Sequence, residues 1–181
     1  MFEDKRKSYI KPGEIYFWTA TINSWSRLLE KDKYKQVVID SLSYVSENGN
    51  IDVFGFVIMP NHIHLIWRIN KPNGKETTQG SFLKFTAHQF KKFLIEDGMS
   101  LDRYKVDASN KQYEFWQRDP LAIQLYTPDV AYQKLDYIHN NPLAEHWRLA
   151  TAPDEYFYSS ASFYENNDTS FTFLKDLRNE M

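Results

Sequence analysis

Two eight-residue runs, IDVFGFVI (51–58) and HIHLIWRI (62–69), stand on either side of a Pro60-Asn61 pair. Both are rich in β-branched and aromatic residues, and proline followed by asparagine suits a tight turn. The stretch therefore reads as an antiparallel hairpin. Successive side chains of a strand point to opposite faces. In the second run Ile63, Leu65, Trp67 and Ile69 share one wholly apolar face, which must pack against other elements. His62, His64, Ile66 and Arg68 share the other, which is the uncovered side of a sheet or part of a cleft. Two imidazoles at i and i+2 can converge on one metal ion, given a third ligand from elsewhere. The plainer alternative is a polar pair on a solvated sheet face. Against it, the chain holds only 5 histidines, and His62 lies directly at the turn, where a rim site would form.

The flanking sequence supplies the rest of a fold. Residues 14–22, EIYFWTATI, read as a strand. Tyr34, Val38, Leu42 and Val45 recur at helical spacing over 32–47, with Asp32 as N-cap and Gly49 just past the end. A polar loop over 70–80 precedes a helix over 81–96, capped by Ser81. A second loop runs to about Lys111, and residues 112–126 hold one or two short strands, YEFWQ and AIQLY, broken at Asp119-Pro120. Thr127-Pro128-Asp129 opens a further helix with a capping hydroxyl, a first-turn proline and an acid at the positive end of the dipole. That helix ends near Asn141, because Pro142 disfavours helical geometry in the residue before it. The order strand, helix, strand, strand, helix, strand matches an α+β, ferredoxin-like split βαβ sandwich, an antiparallel sheet with helices on one face. An extra C-terminal helix and a tail follow. We expect one domain over residues 1–181, with its core over about 10–145 and an acidic tail over 146–181.

Composition narrows the chemistry. The absence of cysteine excludes disulfides, thiolate metal sites and a cysteine nucleophile. No apolar run reaches signal or membrane-spanning length, so a cytoplasmic protein is expected. The net charge of −2 hides an asymmetry. From Glu145 onward there are 7 acids and 3 bases, whereas residues 1–144 hold 17 acids and 19 bases. The weakly basic body permits contact with an anionic polymer.

The best source of further site residues is LDYIHNNP (135–142). Ala131, Leu135 and Ile138 form a core stripe on that helix, while Gln133, Tyr137 and Asn141 recur every four residues on an adjacent face. A tyrosine hydroxyl and an amide oxygen thus point the same way, one turn apart. Tyrosine becomes a usable nucleophile when a metal or base lowers its pKa from about 10. The bland reading of Tyr137 is a partly buried aromatic at a helix edge. Tyr156, Tyr158 and Tyr164 are rival nucleophiles, but none has a polar partner at comparable spacing.

FVIMPNHIHLIW (56–67) followed by DYIHNNPLAEHW (136–147) resembles the single-tyrosine HUH transposases of bacterial insertion sequences, in particular their REP-associated branch, the RAYT proteins. Those enzymes carry His-hydrophobic-His on a strand and a catalytic tyrosine on a later helix, in a Tyr-x-x-x-Asn-Pro context. The stretch APDEYFYSSASFY (152–164) is similar to that family's tail, and the resemblance spans roughly residues 10–165. It implies that His62, His64 and Asn141 hold a divalent cation, Mg²⁺ or Mn²⁺. It implies that Tyr137 attacks a DNA phosphate, becomes 5′-phosphotyrosyl-linked and releases a 3′-hydroxyl. The implied partner is single-stranded DNA with hairpin-forming or palindromic ends, met by a monomer or a homodimer. Soon after Asn-Pro, where the family more often has a basic residue, this chain has Leu143-Ala144-Glu145.

Candidate DNA contacts follow from that reading. Lys84, His88, Lys91 and Lys92 share one sector of the 81–96 helix, with Leu83, Phe90 and Phe93 packing opposite; the alternative is an ordinary solvated face. Trp116, Gln117 and Arg118 would stack on and grip a single strand, Trp116 being equally suited to the core. Gln133 adds a polar contact beside Tyr137. Lys5, Arg6, Lys7 and Lys11 form a basic arm able to follow a phosphate backbone. Two other functions compete: a nucleic-acid-binding module of the same fold that does not cut, and a zinc hydrolase, for which HExxH or an equivalent carboxylate is missing.

Overall fold

The computed structural model describes residues 9–181, so the Lys5, Arg6 and Lys7 part of the basic arm lies outside the described residues. In chain order come β1 (Ile15–Thr21), α1 (Asp32–Glu47), β2 (Ile51–Ile58), β3 (His62–Ile69) and α2 (Thr78–Glu96). The short strands β4 (Lys105–Ala108), β5 (Lys111–Tyr113) and β6 (Leu121–Gln124) follow, then α3 (Pro128–Asn140) and α4 (Ala161–Asn166). The main sheet has the order β2-β3-β1-β6, and every neighbouring pair is antiparallel. β1 and β2 therefore run parallel with β3 between them, and β3 and β6 run parallel with β1 between them. This is the split βαβ arrangement, an α+β ferredoxin-like sandwich.

The alternation along β3 separates two cores. Ile63, Leu65, Trp67 and Ile69 join Trp18, Val38, Leu42, Phe82 and Phe90 in the larger one, which α1 and α2 cover. Ile66 and Phe17 belong to the second, closed by Ala131, Leu135 and Ile138 of α3. The histidine face is thus roofed by the extra helix. β2 alternates between both cores, and a bulge between Val53 and Gly55 shifts the phase of that alternation. Ile51, Val53, Phe56 and Ile58 face the larger core, while Phe54 and Val57 face the second. Gly55 lets α3 come close: a Cβ there would lie 2.7 Å from Leu135 Cδ1 and 3.4 Å from Ile138 Cδ1. Overpacking at such a contact costs about 1–3 kcal/mol. Because the atoms met are side-chain ends that can rotate away, Gly55→Ala should lower stability by the lower part of that range in a denaturant titration, with α3 keeping its place.

Several local boundaries differ from the sequence reading. α2 begins a turn early, because Thr77 rather than Ser81 is the cap and accepts from Gly80 N–H at 3.2 Å. Asp32 is the first helical residue of α1 and Lys31 is its N-cap. The segment before Lys111 is not all loop, since β4 and β5 pair as a small hairpin. YEFWQ does not form a strand of the main sheet; Trp116 touches it through one isolated bridge to Ile22. After α3 the chain crosses to the outer edge of β2, where Ile58 N–H donates to Tyr158 O, Ser160 N–H to Phe56 O and Lys175 N–H to Val53 O. Leu177 is fully buried against the second core. The acidic 146–181 stretch is held along an edge strand that would otherwise present open backbone groups.

Candidate active site

Cross-strand register builds the first wall. Thr19 of β1 stands opposite His64 of β3, and Thr21 opposite His62, all four on the face roofed by α3. Thr127 caps α3 by accepting from Val130 N–H at 3.4 Å, with Pro128 at the first turn. The helix ends at Asn140 and tightens into a 3-10 turn over Asn141–Leu143. Asn141 nevertheless keeps right-handed helical angles, φ −56° and ψ −42°, although proline follows it. The four-residue spacing from Tyr137 therefore stays helical, and both side chains look into the same cleft of about 870 Å³. Gln133, Tyr137, Asn141, His62 and His64 all line it. The ring centroids of His62 and His64 are 4.7 Å apart, and that of Tyr137 lies 5.4 Å from that of His64.

The imidazoles are held with one nitrogen occupied and the other open. His62 Nδ1 donates to Asn61 Oδ1 at 2.7 Å, and His64 Nδ1 lies 2.7 Å from the Thr19 hydroxyl. The Asn61 contact favours the His62 tautomer whose Nε2 carries a free lone pair, and the Thr19 hydroxyl, able to donate or accept, permits the same tautomer at His64. His64 Nε2 and Asn141 Oδ1 are both buried with no hydrogen-bond partner. Buried polar atoms left unpaired are rare, and they cluster where a ligand or ion belongs. Burial pushes the His62 imidazolium down to about 4, the facing Asn141 amide opposing this and His146 adding to it. Burial likewise pushes His64 down to about 3, with His62 and Lys134 contributing. Both rings are neutral at physiological pH, the state in which imidazole ligates metals. Two imidazole nitrogens and an amide oxygen fit a divalent cation of intermediate hardness. Among the described residues no group of three His, Cys, Asp or Glu side chains could hold a metal, so the donor set needs the amide.

The same burial makes a stability prediction. His139, on the buried side of α3, is also pushed down to about 4 by burial, and its Nε2 lies 2.8 Å from Ser160 Oγ. Lowered histidine pKa values mean that the unfolded chain binds more protons. Stability is therefore whole above pH 6.5, the ordinary value, and falls as the pH drops from there towards about 4 for His62 and His139 and about 3 for His64. Each of the three should cost roughly 1–2 kcal/mol by about pH 5. Urea titrations of cation-free protein should show this loss, and a flat profile between neutrality and about pH 5 would contradict it.

The rival tyrosines have other duties. Tyr156 donates to Ile58 O at 2.8 Å and burial pushes its pKa up. Tyr164 donates to Phe54 O at 2.6 Å and is pushed up to about 12, chiefly by burial. Tyr137 is half exposed in the cleft.

The expected DNA contacts divide. Lys84, His88 and Arg118 line a second groove, between α2 and the segment that follows β5. Because α2 covers the opposite face of the sheet, this groove is separate from the histidine cleft. Lys91 lies over the Tyr113 ring at 4.7 Å, and Lys92 approaches Glu96 at 3.9 Å. Lys84 is paired with Glu76, and Arg118 with Glu114. Trp116 is 6% exposed and its Nε1 donates to Thr86 Oγ1 at 2.9 Å, so it is core and presents no face for stacking. Periodicity missed Thr19, Asn61 and Asp136, the last a carboxylate lining the cleft. It also missed Lys134, whose Nζ lies 4.9 Å from the Phe17 ring and 5.8 Å from the Tyr137 ring. Lys134 has no salt bridge among the described residues. It sits one turn before Tyr137, and that spacing was the available signal.

No helix among the described residues is long and apolar enough to cross a membrane. No protein-family model and no curated protein matches the sequence. Among solved structures the chain is similar to the REP-associated tyrosine transposase bound to a REP hairpin, with a TM-score of 0.59 and 21% identity over 97% of this chain and 89% of that one. The α+β sheet, its helices and the additional helix that roofs the histidine face thus follow the fold of a REP-associated tyrosine transposase.

Proposed function

We propose that the chain cuts and rejoins single-stranded DNA, with Tyr137 as nucleophile. One observation carries this reading: a half-exposed phenol lies beside two neutral imidazoles, with an imidazole nitrogen and an amide oxygen left open in the same cleft. The fold shared with the REP-associated transposase supports it.

The Tyr137 oxygen attacks the phosphorus of a phosphodiester. The phosphorus–O3′ bond breaks, the phenol proton passes to solvent and the departing 3′-oxygen is protonated. The upstream segment leaves with that 3′-hydroxyl, and the downstream segment stays attached through its 5′-phosphate as a phosphotyrosyl bond. In the reverse step a 3′-hydroxyl attacks and the phenolate leaves, so strands join without an external energy source. His62, His64 and Asn141 would hold a divalent cation, Mn²⁺ or Mg²⁺, which would supply Lewis-acid polarisation of the phosphate. Asn61 and Thr19 orient the imidazoles, and Gln133 contacts the strand one helical turn before Tyr137. A zinc hydrolase would need a third His or acid ligand; Asp136 and His146 line the cleft, but among the described residues no three such side chains are grouped so as to hold a metal.

The test is a denaturant-resistant adduct. Full-length protein, Mn²⁺ and a pool of end-labelled, hairpin-bearing single strands with randomised flanks should yield one, attached through tyrosine. Binding without an adduct under any divalent ion would instead identify a non-cutting module.

A further inference from the structure

Immediately after β1 the chain does something unusual. Ser24 and Trp25 both have positive φ, 56° and 52°. For a bulky residue this is a true outlier, tolerated only where the surroundings enforce it. Here they do: Ile22 N–H donates to Asn61 O at 2.8 Å, Trp25 N–H to Ile22 O at 3.0 Å and Asn61 Nδ2 to Trp25 O at 3.4 Å. The reward for this strain is not burial, since Trp25 is 62% exposed. The indole instead stands at the cleft that holds His62 and Tyr137. Trp147 lines the same cleft, 6.0 Å from the His62 ring and 5.6 Å from the Arg27 guanidinium.

We infer that Trp25 is a stacking platform for a nucleobase of the strand whose phosphate lies at Tyr137. The inference rests on the DNA-processing reading of the site. An exposed indole held in a strained backbone beside a phosphodiester site offers a π-face that any base can cover. Asn61 makes the platform part of the machinery. Its Nδ2 holds the Trp25 carbonyl while its Oδ1 accepts from His62 Nδ1. A base seated on Trp25 is thereby indexed to the imidazole beside the reacting phosphate. Trp25 is a positioning residue for the substrate and does not touch the reacting atoms.

Binding of oligothymidylate about 16 nucleotides long, and of an abasic strand with the same number of phosphates, tests this in a Tyr137→Phe background. Trp25→Gly should melt no lower than its parent, because glycine takes positive φ without strain. It should nevertheless bind oligothymidylate about tenfold more weakly, with Trp25→Phe in between. The abasic strand should bind all three alike. Unchanged oligothymidylate affinity in Trp25→Gly, an equal loss on the abasic strand or a lower melting temperature would each overturn the role of Trp25. Failure of the parent to bind either strand would be a different result, removing the DNA reading and this inference with it.

Discussion

Tyr137→Phe is expected to form no covalent adduct with DNA, a loss of at least about 10⁴-fold, while binding single strands as the unaltered chain does. The substitution removes only a hydroxyl. The Tyr137 ring packs edge-on against Phe17 and His64, at 6.0 and 5.4 Å between centroids, and phenylalanine keeps both contacts. A half-exposed side chain altered this way should shift stability by less than about 0.5 kcal/mol, so loss of the adduct cannot be blamed on unfolding. The neighbouring tyrosines are the controls. Tyr158→Phe should leave the adduct intact. Tyr156→Phe and Tyr164→Phe each delete a hydrogen bond to a β2 carbonyl, at Ile58 and Phe54, and should cost about 1 kcal/mol without abolishing the adduct. An adduct of normal yield in Tyr137→Phe would move the nucleophile elsewhere. The bond formed can be identified by protease digestion, which should leave a tyrosine-containing peptide on the 5′ end of the cut strand.

The contrast between what was legible in the sequence and what was not has physical causes. β3 reads cleanly because one of its faces is wholly apolar and the other polar at three of its four positions, so the period of two is visible. α3 reads cleanly because a capping threonine, a first-turn proline and a terminal proline bracket it. β2 is different: all eight of its residues are buried, so it shows no alternation, and the bulge at Val53–Gly55 leaves no mark. The β4–β5 hairpin is four residues against three, with half-exposed side chains, too short for a pattern to rise above composition. Trp116 shows that an aromatic beside basic residues is ambiguous until burial is known. The candidate site was legible only in part for a related reason. His62, His64, Tyr137 and Asn141 carry their spacing along a single strand or helix. Thr19 and Asn61 act through a cross-strand register and a side chain at a turn, and neither relation has a signature in linear order.

That supporting pair shapes the second large effect. His64→Ala should eliminate divalent-cation binding and reduce adduct formation on the order of 10³-fold, the scale expected when polarisation of a phosphate oxygen is lost. Cation binding is read without chemistry, as the rise in melting temperature that Mn²⁺ produces in the unaltered chain. The rise should vanish in His64→Ala even though the variant remains folded. Thr19→Val separates ligation from orientation, since valine matches the shape of threonine and lacks the oxygen 2.7 Å from His64 Nδ1. Losing an orienting partner weakens metal affinity by about 10–100-fold, so the variant should need more Mn²⁺ for the same thermal shift and recover activity when it is supplied. Protons compete with the cation for the same lone pairs. With the two rings pushed down to about 4 and about 3, that competition should begin well below pH 6.5, the ordinary histidine value. Mn²⁺ affinity should therefore stay level down to about pH 5 and fall only below it. A midpoint near pH 6.5 would mean that the imidazoles stand in water, and the cleft would then lack the dry, neutral nitrogens that the proposed reaction needs.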